Sequence, residues 1–227
     1  MDIKNLHCWE LTCTQARQLQ ERLAGQVVTA SMTRPVETVA GLDCAFDKQG
    51  GYVLAAAVVL SFPELVPIEI STARAALTFP YVPRLLSFRE APACLAAVAK
   101  LGTTPDLFLI DGQGIAHPRR MGLASHLGLF LNRPTLGCAK SRLIGTFEEP
   151  GREKGAFSPL YDHADTIGAV VRTRTGVKPL FVSPGHLCSL DDAIQWTLRC
   201  TTHYRLPEPT RLAHQHVTAL KKQKRQM

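Results

Sequence analysis

The chain has 227 residues, of which 45% are hydrophobic and 20% are charged. This composition is that of a globular protein and excludes a disordered, collagenous or coiled-coil chain. The longest apolar run, residues 53–60, is far shorter than the roughly 20 residues that a membrane-spanning helix needs. The N-terminus also lacks a basic region followed by an apolar stretch, which a secretory signal requires. We therefore expect a cytoplasmic protein that makes no membrane contact and acts as a monomer.

The charge balance is basic, with 26 Lys and Arg residues against 19 Asp and Glu and a net charge of +7. Four of the positive charges lie in the tail, residues 219–227, which could also be only a solvated end. A basic balance is compatible with a polyanionic partner. The seven cysteines form no CxxC pair, which favours reduced, mostly buried thiols over a disulfide framework or a zinc site.

The first third of the chain predicts one helix followed by three strands. Apolar and small residues at helical spacing from residue 12 predict an amphipathic helix that ends near Gly25, within an N-terminal helical segment 1–30. Runs of β-branched and small residues then predict strands at 37–46, 52–62 and 65–73. The turns between them are short, with one at residues 47–51, so these strands form an antiparallel meander.

The rest of the chain predicts alternating helices and strands. Residues 149–159, rich in Pro and Gly, predict a surface loop. With no internal repeat and no shift in composition, we predict a single α/β domain spanning residues 1–227 around one core. The predicted helices are 92–101, 121–131, 189–202 and one that follows residues 208–209, and the predicted strands are 106–110, 135–138, 168–172 and 180–182.

Acidic residues occur where apolar ones are expected. Asp43 lies inside an apolar strand, Asp111 ends another just before a glycine, and Glu90 lies at the start of a helix. A carboxylate removed from water costs several kcal/mol unless it is paired or bound to a cation, although each aspartate could instead cap a turn. Carboxylate oxygens suit Mg²⁺ or Mn²⁺ better than Zn²⁺. A cation of this kind can activate water and stabilise a phosphate under attack.

Residues 111–120 (DGQGIAHPRR) form a second feature. Gly112 and Gly114 allow close backbone approach to a ligand, and their N–H groups could meet a phosphate or a base edge. His117 and the two following arginines add polar and cationic groups. The pattern is neither GxGxxG nor a P-loop, so an ordinary solvent loop is the alternative.

A third feature is the segment 79–83 (FPYVP), in which two prolines stiffen the chain on either side of Tyr81. Rigid aromatic tips can wedge between stacked bases, whereas a packed turn with a buried tyrosine is the alternative. Lys140 follows a predicted strand and could neutralise a phosphate, or be an ordinary surface lysine. His214 lies on the last helix, where a histidine is either functional or structural.

Taken in order, seven motifs resemble the endonuclease V family, which acts on deoxyinosine in DNA and also on inosine in RNA. The match runs over nearly the whole chain. The motifs are residues 41–43 (GLD), 80–83 (PYVP), 86–90 (LSFRE), 111–119 (DGQGIAHPR), 122–128 (GLASHLG), 184–186 (PGH) and 205–211 (RLPEPTR).

The resemblance implies a ribonuclease-H-like fold, a mixed sheet with helices on both faces. It further implies Mg²⁺-dependent hydrolysis, with Mn²⁺ as a substitute, of the second phosphodiester bond on the 3′ side of a deaminated base. The implied partner is DNA that contains deaminated bases. Two alternatives remain open, namely an inosine-specific endoribonuclease acting on single-stranded RNA and a lesion-binding protein without catalysis. A junction-cutting relative is disfavoured, because it would not need a tyrosine between prolines.

The resemblance also assigns roles to single residues. The family usually has glycine after the second proline of the wedge, where this chain has Arg84. Arginine accepts a positive φ poorly and adds a charge beside the nucleic acid. The implied metal ligands are Asp43, Glu90 and Asp111, with Lys140 and His214 as further catalytic residues, Pro80, Tyr81, Val82 and Pro83 as the wedge, and Gly112, Gly114, His117 and Gly122 as the base pocket.

Overall fold

The fold, described from a computed structural model for residues 1–47 and 49–223, is one eight-stranded mixed sheet with five helices. The sheet order is β3-β2-β1-β4-β5-β8-β7-β6. Among the described residues, no helix is both long enough and apolar enough to cross a membrane. The strands are β1 (Thr38–Asp47), β2 (Tyr52–Ser61), β3 (Pro67–Ala76), β4 (Leu107–Ile110), β5 (Thr135–Ala139), β6 (Phe157–Asp162), β7 (Asp165–Val171) and β8 (Leu180–His186). The helices are α1 (Cys13–Ala24), α2 (Ser87–Val98), α3 (Leu123–Leu131), α4 (Leu190–Arg199) and α5 (Glu208–Gln223).

The predicted meander is confirmed, because β1 pairs with β2 and β2 with β3, both antiparallel. On the other side of β1, β4 and β5 run parallel to it. The next three strands, β8, β7 and β6, are antiparallel to their neighbours. The carboxyl ends of β1, β4 and β5 therefore lie at one edge of the sheet.

Side chains alternate between two helical layers, as the period of a β-strand requires. Leu42 of β1 and Phe108 of β4 pack against α2 and α3. Val39 and Leu109 point to the opposite face and pack against α4 and α5. The two faces confirm the predicted mixed sheet with helices on both sides.

Several predicted boundaries were wrong; strand β8, for example, continues to His186, where the sequence predicted an end at 182. Helix α1 begins after the cap Thr12 and ends at Ala24, so the rest of the segment 1–30 is not helical. Helix α2 begins at Ser87 and contains Pro92, where the sequence predicted a start at 92. Residues 157–159, predicted as loop, open β6. Strand β6 is an edge strand and pairs with β7 on one side only. Proline has no backbone N–H to donate to a second neighbouring strand, and at an edge this donor is not required.

Two predictions lie partly outside the described residues. The basic tail, 219–227, is helical as far as Gln223, and residues 224–227 are not described. Residue 48 of the predicted turn 47–51 is not described either, but the backbone N–H of Gly50 donates to Asp47 Oδ1 at 3.1 Å.

Candidate active site

Asp43 and Asp111 are brought together by the parallel pairing of β1 and β4. Leu42 lies opposite Ile110 in the register, and the backbone N–H of Asp111 donates to the carbonyl of Leu42 at 3.1 Å. The two aspartates that follow these residues therefore lie side by side, on the sheet face that α5 covers. Their side chains are only 10% and 13% exposed, respectively.

Helix α5 adds His214 to this pair, and a glycine makes its close approach to β1 possible. A Cβ atom at Gly41 would lie 2.0 Å from the backbone of Pro209. From this close crossing, His214 Nδ1 reaches Asp43 Oδ2 at 2.6 Å. One ligand atom from each of Asp43, Asp111 and His214 lies within 4.8 Å of the other two. Two carboxylates and an imidazole at this spacing can hold one divalent cation.

Glu90 supplies the third predicted carboxylate from the first turn of α2, and it is 9% exposed. Among the described residues, the group of three possible ligands does not extend to Glu90. Burial, followed by the charges of Asp43 and Asp111, raises the Glu90 pKa to about 8. Burial and Asp111 likewise raise the pKa of Asp43. The carboxylates repel each other, so the site suits a bound cation, whose charge would offset this repulsion.

Lys140 follows β5 at the same edge of the sheet, and its Nζ donates a hydrogen bond to the Asp111 carboxylate. Its backbone is held as well, since Arg205 Nη2 donates to the carbonyls of Lys140 at 3.0 Å and of Pro179 at 2.7 Å. Arg205 was visible in the sequence only as part of the motif 205–211, which gave it no role. Both ends of Lys140 are thus fixed, and its charge faces the aspartates.

A cavity of about 420 Å³ opens beside these carboxylates. A second cleft of about 510 Å³ lies at the opposite edge of the sheet and is lined by none of the predicted site residues. Gly114 does not line the first cavity, because its N–H donates to Ser183 Oγ at 2.8 Å and its backbone packs against Pro184. The predicted residues that line it are Tyr81, Val82, Pro83, Glu90, Asp111, Gly112, His117, Gly122 and Lys140.

The segment between β3 and α2 projects Tyr81 outward. Phe79 is buried and stacks on Phe88 with ring centroids 5.4 Å apart, whereas Tyr81 is 73% exposed. Arg89 supports the segment, because its Nη1 donates to the carbonyl of Phe79 at 2.8 Å and its guanidinium lies 5.7 Å from the Tyr81 ring centroid. The alternative of a packed turn with a buried tyrosine is therefore wrong.

His117 holds the backbone of this segment by a hydrogen bond from its ring. Its Nδ1 accepts the N–H of Arg119 at 3.2 Å, so the proton lies on Nε2, which donates to the carbonyl of Arg84 at 2.9 Å. Burial lowers the His117 pKa to about 4. Both ring nitrogens are occupied by backbone groups. His117 therefore lines the cavity with a neutral ring and fixes the position of Arg84.

Known proteins of one family match this chain in both sequence and structure. The family model for endonuclease V matches residues 21–215. Endonuclease V of Nostoc punctiforme is 52% identical over 214 residues, covering 94% of this chain and 97% of that protein. The crystal structure of endonuclease V from Streptomyces avermitilis superposes with a TM-score of 0.91 at 42% identity and 99% coverage of both chains. Endonuclease V of Ciona intestinalis, in complex with DNA containing an inosine followed by a ribo-adenosine, superposes with a TM-score of 0.80 at 28% identity, covering 92% of this chain and 98% of that one. The chain belongs to the endonuclease V family.

Proposed function

We propose that this protein is a Mg²⁺-dependent endonuclease that nicks DNA at the second phosphodiester bond on the 3′ side of a deaminated base such as deoxyinosine. The proposal depends on the position of three metal-ligand candidates relative to the cavity. Asp43, Asp111 and His214 have ligand atoms within 4.8 Å of one another, and Asp111 of this group lines the cavity that the exposed Tyr81 also lines.

Asp43, Asp111 and His214 would hold the cation, with Glu90 as a further carboxylate beside them. The oxygen ligands favour Mg²⁺, with Mn²⁺ as a substitute. When bound, such a cation supplies a Lewis acid that activates water and stabilises charge on a phosphate. Lys140 adds a point charge that can face a phosphate oxygen, and its contact with Asp111 keeps its amine at the site.

The cavity and the wedge supply selectivity for the base. Hypoxanthine carries a carbonyl oxygen where adenine has an amino group, so it pairs poorly with thymine and costs less to extrude from the duplex. Tyr81, held outward between Pro80 and Pro83, would fill the gap that the extruded base leaves. Gly112 and Gly122 present backbone to the cavity that would receive the base.

The Ciona complex supports a nucleic-acid substrate and also favours a second candidate. That protein was captured on inosine followed by a ribo-nucleotide. The second candidate is therefore the same chemistry directed at inosine-containing single-stranded RNA.

The decisive experiment is a nicking assay on three end-labelled oligonucleotides of the same sequence. One is a duplex with a single deoxyinosine, one is the matched adenine duplex, and one is inosine-containing RNA. With Mg²⁺ we expect one cut in the deoxyinosine duplex, at the second bond on the 3′ side, and none with EDTA. Faster cleavage of the RNA would overturn the choice of substrate. Binding of the lesion without any cut would show a non-catalytic protein.

A further inference from the structure

Arg84 adopts the left-handed conformation that glycine favours, with φ of +69°. Its carbonyl oxygen accepts three hydrogen bonds, from His117 Nε2 at 2.9 Å, Arg119 Nη2 at 3.1 Å and Gln20 Nε2 at 3.2 Å. These donors come from α1 and from the loop after β4. Three donors on one carbonyl fix the backbone of Arg84, and with it the direction in which the side chain leaves.

The Arg84 side chain is exposed and lines the cavity next to Tyr81. In the described part of the chain, no carboxylate forms an ion pair with it. Arg120, by contrast, is paired with Asp162 at 2.8 Å and Asp165 at 3.1 Å. The charge of Arg84 is therefore available to a ligand.

Two further arginines lie on the same side of the wedge. Arg119 Nε donates to Gln20 Oε1 at 2.6 Å, so Gln20 joins Arg119 to Arg84. Arg17 is exposed on α1, three residues before Gln20, and therefore on the same face of that helix. Burial and then the like charges of Arg17 and Arg84 lower the pKa of Arg119, against the opposing charge of Glu21. Arg17 and Arg84 therefore both repel the Arg119 guanidinium, and an anion bound beside Arg119 would relieve this repulsion.

We infer that Arg17, Arg84 and Arg119 form a phosphate-binding site for the nucleic-acid backbone on the α1 side of the wedge. Arg84, which lines the cavity, contacts the phosphate nearest the extruded base. The inference rests on the proposed function, since it takes the cavity as the place of that base. Guanidinium groups suit phosphate oxygens because their planar donors can bind two oxygens at once.

The test measures how the affinity for a deoxyinosine duplex depends on salt, by fluorescence anisotropy in EDTA so that no cutting occurs. Arg84→Gln and Arg17→Gln each remove one charge, and Arg84→Lys retains it. Arg34→Gln is the control. Arg34 is exposed and precedes β1, so it lies at the other end of the strands from Arg84. Thermal melting checks that every variant is folded.

Each lost phosphate contact should reduce the slope of log K against log [KCl] by about 0.9. Raising KCl from 50 to 200 mM weakens binding by some factor in the wild type. For Arg84→Gln and for Arg17→Gln, this factor should be about 3.5 times smaller. Arg84→Lys and Arg34→Gln should keep the wild-type slope. Unchanged slopes in both glutamine variants would overturn the inference.

A parallel nicking assay in Mg²⁺ separates this inference from the proposed function. If the wild type nicks the deoxyinosine duplex but the glutamine variants keep its slope, only the phosphate site is wrong. If the slopes fall but the wild type does not nick, the phosphate site stands and the endonuclease assignment fails.

Discussion

His126 Nε2 donates a hydrogen bond to His7 Nε2 at 2.8 Å, and this contact fixes the proton positions on both rings. His7 Nδ1 lies 2.7 Å from the carbonyl of Cys8, which can only accept, so His7 Nε2 must be the acceptor from His126. His126 Nδ1 then accepts the hydroxyl of Ser87 at 3.1 Å. Both histidines are neutral, and they tie the N-terminal segment to the first turn of α2, which carries Glu90.

We expect this arrangement to make stability depend on pH. Burial and the neighbouring His7 lower the His126 pKa to about 3, and burial also lowers the pKa of His7. The unfolded chain titrates near 6.5, so below that pH it binds protons that the folded chain does not. Stability should therefore fall as the pH drops from about 6.5 towards 3. His126 alone should contribute a loss of about 2 kcal/mol between pH 7 and pH 5.

The measurement is the free energy of unfolding in urea at pH 7.5 and pH 5.0, for the wild type and for His126→Phe. The variant should be less stable at pH 7.5, because Ser87 and His7 lose a hydrogen-bond partner. Its stability should nevertheless change about 2 kcal/mol less between the two pH values. An equal pH dependence in both proteins would show that His126 does not titrate as its burial implies.

Replacing Asp43 or Asp111 by asparagine should abolish nicking while changing the free energy of unfolding by no more than about 1 kcal/mol. Each variant loses a carboxylate that would hold the cation. Each also loses one contact, namely the hydrogen bond between Asp43 and His214 or the ion pair of Asp111 with Lys140. Because His214 and Lys140 are 51% and 40% exposed, these contacts contribute little. Removal of one like charge relieves the repulsion that raises the Glu90 pKa.

Two measurements test the aspartates, namely the nicking rate and the melting temperature with and without Mg²⁺. Mg²⁺ should raise the melting temperature of the wild type, as a ligand that binds only the folded state does, and have little effect on either variant. Asp191→Asn, at an exposed position in the first turn of α4, should behave as the wild type. Full Mg²⁺-dependent nicking by either active-site variant would refute the metal assignment.

Much of the fold was readable because the central strands are buried on both faces and therefore stand out as apolar runs. Two of the boundaries that failed involve proline. Pro92 looked like the first residue of a helix, although α2 already begins at Ser87. Pro159 suggested a loop, although an edge strand tolerates it. In both cases the contacts of the neighbouring chain decided the structure, and local propensity could not show them.

The site was readable in part for the same reason. A charged residue in an apolar strand is conspicuous, so Asp43 and Asp111 could be found from the sequence. Helical spacing did not decide the role of His214, because its contact with Asp43 spans 171 residues and depends on how α5 crosses β1. The bond from Gln20 to the Arg84 carbonyl spans 64 residues and has no local signal either.

Gly41→Ala tests whether the close crossing of α5 and β1 assembles the site. The added methyl group would meet the Pro209 backbone at 2.0 Å, so α5 must move. We expect a loss of about 3 kcal/mol or more in the free energy of unfolding and a large fall in nicking, because His214 would be displaced from Asp43.

Gly25→Ala is the matched control for Gly41. Gly25 has φ of −67°, and the nearest atom to an added Cβ is 3.9 Å away. The free energy of unfolding of Gly25→Ala should equal that of the wild type or exceed it by about 0.5 kcal/mol. If Gly41→Ala were as stable and as active as Gly25→Ala, the close approach would not be needed for the site.

Tyr81→Ala should separate base selectivity from folding and from metal binding. Tyr81 is 73% exposed, so its removal should change the free energy of unfolding by less than about 0.5 kcal/mol. A ring that stacks on bases contributes about 1–3 kcal/mol. The ratio of nicking rates on deoxyinosine and adenine duplexes should therefore fall about tenfold, while the Mg²⁺ concentration for half-maximal rate stays the same. Tyr81→Phe keeps the ring and should keep the ratio, whereas an unchanged ratio in Tyr81→Ala would exclude a wedge that acts through the aromatic face.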